Sequence, residues 1–281
     1  MEKAFEITNL NKSYKGFSLK NVSLTLPKGY IMGFVGKNGA GKSTTMNCLL
    51  GITKADSGSM KIFDRDISAL TSADKEKIGV VLDGCPFAEI LNVKDIGNIL
   101  KNTYKNWDSE KFETMCRRFG LPKDKQIKDF STGMRAKLNI ATALCHNAQL
   151  LILDEATSGL DPVVRDEILD ILQDFVQDEN NSILISSHIT SDLEKICDYI
   201  AFIRDGEIIF VENKDDLMEK YVVIHCTNEQ FEQIDKDAVI SHRQNSFSTQ
   251  ALVFRDKIAG EFVTDKPSIE DIMLYYTREV Q

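Results

Sequence analysis

Nine residues carry the strongest chemical signal. Gly36-Lys37-Asn38-Gly39-Ala40-Gly41-Lys42-Ser43-Thr44 matches the G-x-x-x-x-G-K-[ST] phosphate-binding loop in full. Glycines in such a loop let successive backbone N–H groups face inward around anionic oxygens. A helix beginning near Ser43 would add its positive dipole end. Lys42 supplies a mobile cation for the β- and γ-phosphates, and the Ser43 hydroxyl can ligate Mg²⁺. Further along, Asp154 and Glu155 close a short apolar run, where a carboxylate is costly unless its charge is used. Asp154 fits the Mg²⁺-supporting carboxylate of phosphate-loop enzymes, and Glu155 could polarise an attacking water as general base. His188 ends another such run and is placed to contact the γ-phosphate or that water. The chemistry these residue types imply is hydrolysis of a nucleoside triphosphate.

Strands must position them. Four apolar runs without alternation, 30–35, 78–82, 150–153 and 182–186, suit strands buried on both faces of a parallel α/β sheet. The segment up to about residue 35 reads as strands, with alternation in Ser23-Leu24-Thr25-Leu26 and a turn signal at Pro27-Lys28-Gly29. Helical patterns cover 43–50, stopped by Gly51, and then 93–104, 109–119 and 134–147 between the second and third of those apolar runs. The amphipathic stretch 162–180 follows Asp161 as N-cap, with Pro162 at its first position. After residue 220 the character changes to short strands, 221–226 and 250–255, and a terminal helix from Ser268. We therefore expect a domain over 1–220, with a helical subdomain inserted at about 85–145, and a small accessory segment over 221–281 without motifs.

Composition narrows the function classes. The chain has 281 residues, enough for one large domain plus a small appendage. With 34 basic and 43 acidic side chains the net charge is −9, which argues against a nucleic-acid binder relying on a bulk positive field. Lys123, Lys125 and Lys128 read as a solvated face, and no nucleic-acid partner is expected. The six cysteines stand far apart without metal or redox spacing, so buried free thiols in a reducing compartment are expected. The N-terminus carries acids where a signal peptide has bases, and no apolar run approaches the length of about 18 residues needed to span a bilayer. A soluble, cytoplasmic protein is expected, with any membrane role running through a partner.

Taken in order, these features resemble the ATP-binding cassette family, the nucleotide-binding subunits of ABC transporters, over roughly residues 3–215. Phe130-Ser131-Thr132-Gly133-Met134 sits where the family's Leu-Ser-Gly-Gly-Gln signature belongs, so Ser131 and Gly133 would face a phosphate. Residues 150–155 match its Walker B segment, Ser158-Gly159-Leu160-Asp161 resembles its D-loop, and His188 its switch histidine. Tyr14 lies where the family places an aromatic against adenine. The resemblance implies an α/β phosphate-loop ATPase core: a mostly parallel sheet with helices on both faces, an antiparallel β subdomain and an inserted helical subdomain. A small α+β C-terminal extension follows in this chain.

The same resemblance implies MgATP hydrolysis coupled to transport, with ATP and Mg²⁺ as cofactors. It also implies an ATP-dependent head-to-tail dimer, homodimeric or with a paralogous cassette. Each ATP would lie between the phosphate loop of one subunit and the signature of the other. A separate transmembrane permease would hold the cassette at the inner face of the cell membrane, docking at the helical subdomain. Thr132 and Met134 depart from the signature, Ala156 replaces a proline, and Asp83 stands at the family's Q-loop glutamine, where it can still meet Mg²⁺ or water. This set is similar to bacterial exporter-type cassettes, including those of antibiotic or peptide export. The alternative, a soluble cassette ATPase acting on ribosomes or DNA, is opposed by the single cassette, the lack of sustained heptads and the unclustered cysteines.

Overall fold

A computed structural model describes residues 2–82, 84–258 and 260–277. The chain opens with an antiparallel hairpin of β1 (Lys3–Tyr14) and β2 (Phe17–Pro27) and enters the molecule's centre along β3 (Ile31–Val35). After α1 (Lys42–Leu49), β4 (Ser57–Ile62) returns to β1 and β5 (Arg65–Asp66) to β4, completing an antiparallel sheet in the order β2-β1-β4-β5. A short α2 (Ser72–Lys75) leads to β6 (Ile78–Val81). The helical insertion follows as α3 (Val93–Thr103), α4 (Ser109–Arg118) and α5 (Thr132–Leu144).

The chain then returns to the centre through β7 (Leu150–Asp154), α6 (Pro162–Phe175), β8 (Ser182–Ser186), α7 (Thr190–Ile196), β9 (Tyr199–Arg204) and β10 (Glu207–Asn213). The second sheet runs β10-β9-β3-β8-β7-β6, parallel except for its edge strand β10. Every residue of β3, β7 and β8 is buried, as expected of strands covered on both faces. Their side chains alternate between two cores. Ile31, Val35, Leu151, Leu153, Ile183 and Ile185 face the helical side, whereas Met32, Phe34, Leu150, Ile152 and Leu184 face the antiparallel sheet and α1.

The C-terminal segment adds α8 (Lys214–Lys220), β11 (Tyr221–Cys226), α9 (Asn228–Phe231), β12 (Val239–Gln244), β13 (Thr249–Phe254), β14 (Val263–Asp265) and α10 (Ile269–Tyr276). Its antiparallel sheet, β12-β13-β11-β14, contains two strands that the sequence pattern does not signal. β14 is three exposed residues, too short to show alternation. Tyr221, Val223, Leu252, Ile269, Ile272 and Tyr275 join the helical-side core, so the extension is packed against the cassette over apolar surface. Expected helix boundaries shift by a few residues. α5 starts at Thr132, capped by the Ser131 hydroxyl, and α6 stops at Phe175, well before 180. There Asp178 accepts from the Asn180 N–H and Asn181 N–H bonds back to the Asp178 carbonyl, a local turn that competes with helix.

Candidate active site

β3, β8 and β7 are neighbours and parallel, so their carboxyl ends open on one crevice, the usual ligand position of an open α/β sheet. From β3 the chain turns through Gly36–Gly41 into α1. Gly36 is required there because a Cβ would stand 2.5 Å from the Ile203 carbonyl oxygen. Gly41 caps α1 at φ 117°, a conformation suited to glycine, and a Cβ on it would meet Leu19 at 2.5 Å. The Ala40 N–H donates to the Lys37 carbonyl at 3.0 Å, closing the turn. Lys42 begins α1 and is 6% exposed. Its Nζ donates to the Gly36 carbonyl at 2.7 Å and lies 3.7 Å from Glu155 Oε1.

The opposite wall comes from β7 and β8, registered so that Asp154 faces Ser186. Buried Asp154 accepts from Ser186 Oγ at 2.5 Å. The Glu155 N–H donates to Ser186 Oγ at 3.0 Å and to its carbonyl at 3.2 Å. Glu155 itself is held at φ +52°, a left-handed conformation uncommon for a residue with a Cβ. Its Oε2 is 2.6 Å from His188 Nδ1. One carboxylate thus bridges the lysine of the phosphate loop and the histidine at the end of β8. These groups line a cleft of about 530 Å³, with Asn38, Gly39, Gly41, Lys42, Ser43 and Thr44 on one side and Asp154, Glu155, Ser158 and His188 on the other. Ala40 stands just behind, its carbonyl accepting from the Gly206 N–H at 3.1 Å.

Other candidate residues lie elsewhere. Tyr14 is 49% exposed at the end of β1, with Lys12 Nζ 5.4 Å from its ring, and is not part of the cleft wall. Its cross-strand partner Phe17 takes that place. Phe17 escapes sequence reasoning because it belongs to no motif; the available signal is an aromatic just past the Lys15-Gly16 turn. Ser131 accepts from the Met134 N–H at 3.2 Å and, with Thr132, lines a neighbouring cleft of about 500 Å³ that also touches Glu155, Ala156 and Ser158. Among the described residues a Cβ at Gly133 would meet nothing nearer than Leu160 at 3.9 Å, so none of them requires a glycine there. The Asp161 carboxylate caps α6, accepting from the Val163 and Val164 N–H groups at 3.1 and 3.0 Å. Asp83 lies outside the described residues.

Comparison with known proteins fits this geometry. Residues 19–158 match the family model described as ABC transporter. The ABC transporter ATP-binding protein YtrB of Bacillus subtilis (strain 168) is 32% identical over 220 residues, covering 78% of this chain and 75% of YtrB. The chain belongs to the ABC transporter family. The lantibiotic transport ATP-binding protein SrtF of Streptococcus pyogenes is 38% identical over 213 residues, 75% of this chain and 91% of SrtF. A solved dimeric ATP-binding cassette, in a post-hydrolysis state with ADP and Pi, superposes with a TM-score of 0.67 at 21% identity over 74% of this chain and 98% of that one. Its fold is the one described above.

This ABC cassette is therefore an ATP-binding subunit of the transporter type, from a family whose ATP-binding proteins are ATPases and whose solved cassettes include dimers. Among the described residues no helix is long and apolar enough to cross a membrane. All six cysteines are free, five of them buried. Burial pushes the Cys116 and Cys145 thiols up to about 12, far from the range of a reactive thiolate.

Proposed function

We propose that this chain hydrolyses MgATP to drive export through a separate membrane permease. The observation that carries the proposal is the single cleft in which Lys42, Ser43 and Thr44 face Asp154, Glu155 and His188. Backbone N–H groups of 36–44 and the start of α1 receive the phosphates, and Lys42 supplies the cation. Glu155 takes a proton from the water that attacks the γ-phosphorus as the bond to the bridging oxygen of ADP breaks. His188, hydrogen-bonded to Glu155 through Nδ1, has its second ring nitrogen left for the γ-phosphate. The Ser43 hydroxyl and the Asp154 carboxylate are hard oxygen donors on the same cleft, a pair suited to Mg²⁺, and the family resemblance alone adds Asp83 as a third candidate. When bound, the ion neutralises charge on the β- and γ-oxygens.

Ser131 and Gly133 line no part of the phosphate cleft of their own chain, which supports a head-to-tail dimer in which a second cassette supplies them. Tyr14 and Phe17, at the hairpin end beside the loop, are the aromatics available to adenine, and Asp161 would act from the dimer interface. Residues 1–220 would serve as the nucleotide-binding domain and 221–281 as an accessory segment, whose described residues pack onto that domain over apolar surface. Similarity to a lantibiotic transport protein supports a part in transporting a peptide antibiotic, and the proposal adds export as the direction and the inner face of the membrane as the location. Glu155→Gln tests the central assignment: turnover should fall by about 10²–10⁴-fold while ATP binding persists. Steady-state hydrolysis surviving that change would refute the base assignment. Recovery of a polytopic membrane protein with the tagged cassette from solubilised membranes tests the permease, and recovery of ribosomes in its place would refute it.

A further inference from the structure

Asp192 is a buried carboxylate, 4% exposed, for which the hydrolytic scheme above has no role. It lies in the first turn of α7, four residues after His188. Its Oδ2 accepts from Thr157 Oγ1 at 2.9 Å, and Arg165 Nε of α6 lies 3.8 Å away. Arg165 also donates through Nη2 to the Leu160 carbonyl at 3.0 Å. Burial pushes the Asp192 carboxyl above its ordinary value, against the opposing pull of Thr157 and Arg165. A carboxylate kept at such a position needs a reason, since a buried charge is costly even when partnered.

We propose that Asp192 is a positioning residue for hydrolysis, clamping the Glu155 loop to the segment that carries His188. The proposal rests on Glu155 being the general base. Glu155 is held in a left-handed conformation, which persists only where its surroundings fix it. Two ties flank that residue. On one side its own N–H is bonded to Ser186. On the other, Thr157 is bonded to Asp192. Ser186 and Asp192 stand two residues before and four residues after His188 on the same β8–α7 connection. Both ties therefore lead to one short segment, and they hold the Glu155 carboxylate at 2.6 Å from His188. Releasing the second tie would leave the phosphate loop and the bond from Lys42 to the Gly36 carbonyl in place while loosening the base relative to its histidine.

The test compares paired substitutions in the full-length protein. Thr157→Val removes the donor with little change of shape, and Asp192→Ala removes the acceptor. Each should lower kcat by about 10- to 100-fold, the range a displacement of roughly 1 Å produces at a reacting group, with the ATP Kd within twofold of the parent. Thr157→Ser and Asp192→Asn keep a donor and an acceptor and should stay within about threefold of parent kcat. Because both residues serve one tie, the double variant Asp192→Ala/Thr157→Val should be no slower than the worse single. A purely structural role would lower the active fraction without this conservative rescue.

Thr157→Val with parental kcat would overturn the proposal, as would multiplicative losses in the double variant, or equal losses for Asp192→Ala and Asp192→Asn. If Asp192→Ala does not fold, the Thr157 pair decides alone. Glu155→Gln, measured alongside, separates the two levels. Retained activity there sinks the base assignment and this proposal together, whereas an inactive Glu155→Gln beside a fully active Thr157→Val sinks only the clamp.

Discussion

Gly206 gives the sharpest test of how the phosphate loop is supported. With Asp205 it forms the two-residue turn between β9 and β10, both at positive φ (50° and 80°), as a hairpin turn matched to strand twist requires. Its N–H donates to the Ala40 carbonyl at 3.1 Å and its carbonyl accepts from the Lys20 N–H at 2.8 Å. A Cβ added there would lie 1.8 Å from the Ser18 carbonyl oxygen. Gly206→Ala therefore carries two penalties. The left-handed conformation costs about 1–2 kcal/mol, and relieving the overlap with backbone that cannot rotate away costs about 1–3 kcal/mol more. Together they predict a loss of about 2–5 kcal/mol, a large share of a typical stability of about 5–15 kcal/mol. Because the turn must move away from β2, the bond to Ala40 should fail, and ATP affinity should fall by about tenfold, the worth of one such hydrogen bond. Urea unfolding reads the first quantity and calorimetric ATP titration the second, with Asp205→Asn as a control expected within about 0.5 kcal/mol of the parent. An alanine variant with parental midpoint and ATP affinity would refute the claim that this turn braces the loop.

Two further perturbations probe other parts of the molecule. Lys42→Ala removes the buried cation proposed to meet the phosphates, so the ATP Kd should rise by about 10- to 100-fold in direct titration, as for lost charge-assisted hydrogen bonds. His146 is buried, stacked on Tyr104 at 4.3 Å and 9°, with Nδ1 2.9 Å from the Glu76 carbonyl, and burial holds its pKa below the ordinary 6.5. The folded state thus binds fewer protons than the unfolded one near that pH. The stability associated with neutral His146 should be complete above pH 6.5 and drain away as pH falls through it. His146→Gln should accordingly cost less stability at pH 5.5 than at pH 7.5 in urea unfolding, and an equal cost at both would contradict the assignment.

The central strands were legible because burial on both faces leaves a run with no polar member to confuse the period. β3, β7 and β8 fall within a residue or two of the runs 30–35, 150–153 and 182–186. Parallel pairing of buried strands then carries residues at their ends to one edge, so Lys42, Asp154, Glu155 and His188 meet although up to 146 positions (188 − 42) separate them. Other features depend on information that no local window holds. Phe17 and Tyr14 are both aromatics beside one turn, and only the hairpin's placement decides which ring reaches the cleft wall.

Asp161 illustrates the same point from the other direction. An acid before Pro-Val-Val reads equally well as a helix cap and as a nucleotide contact, and within one chain its oxygen is committed to two backbone N–H groups. The Thr157–Asp192 tie is further out of reach. Thr157 sits in an irregular loop and Asp192 on an amphipathic helix where acids are ordinary on the solvent face. Its burial follows from α7 packing against α6 and the C-terminal α10, an arrangement set by tertiary contact and invisible to helical periodicity. Motif spacing announces which groups touch a substrate, because the substrate imposes it. Groups that hold those in place answer to the fold alone, and for them the structure is the first point at which the chemistry can be read.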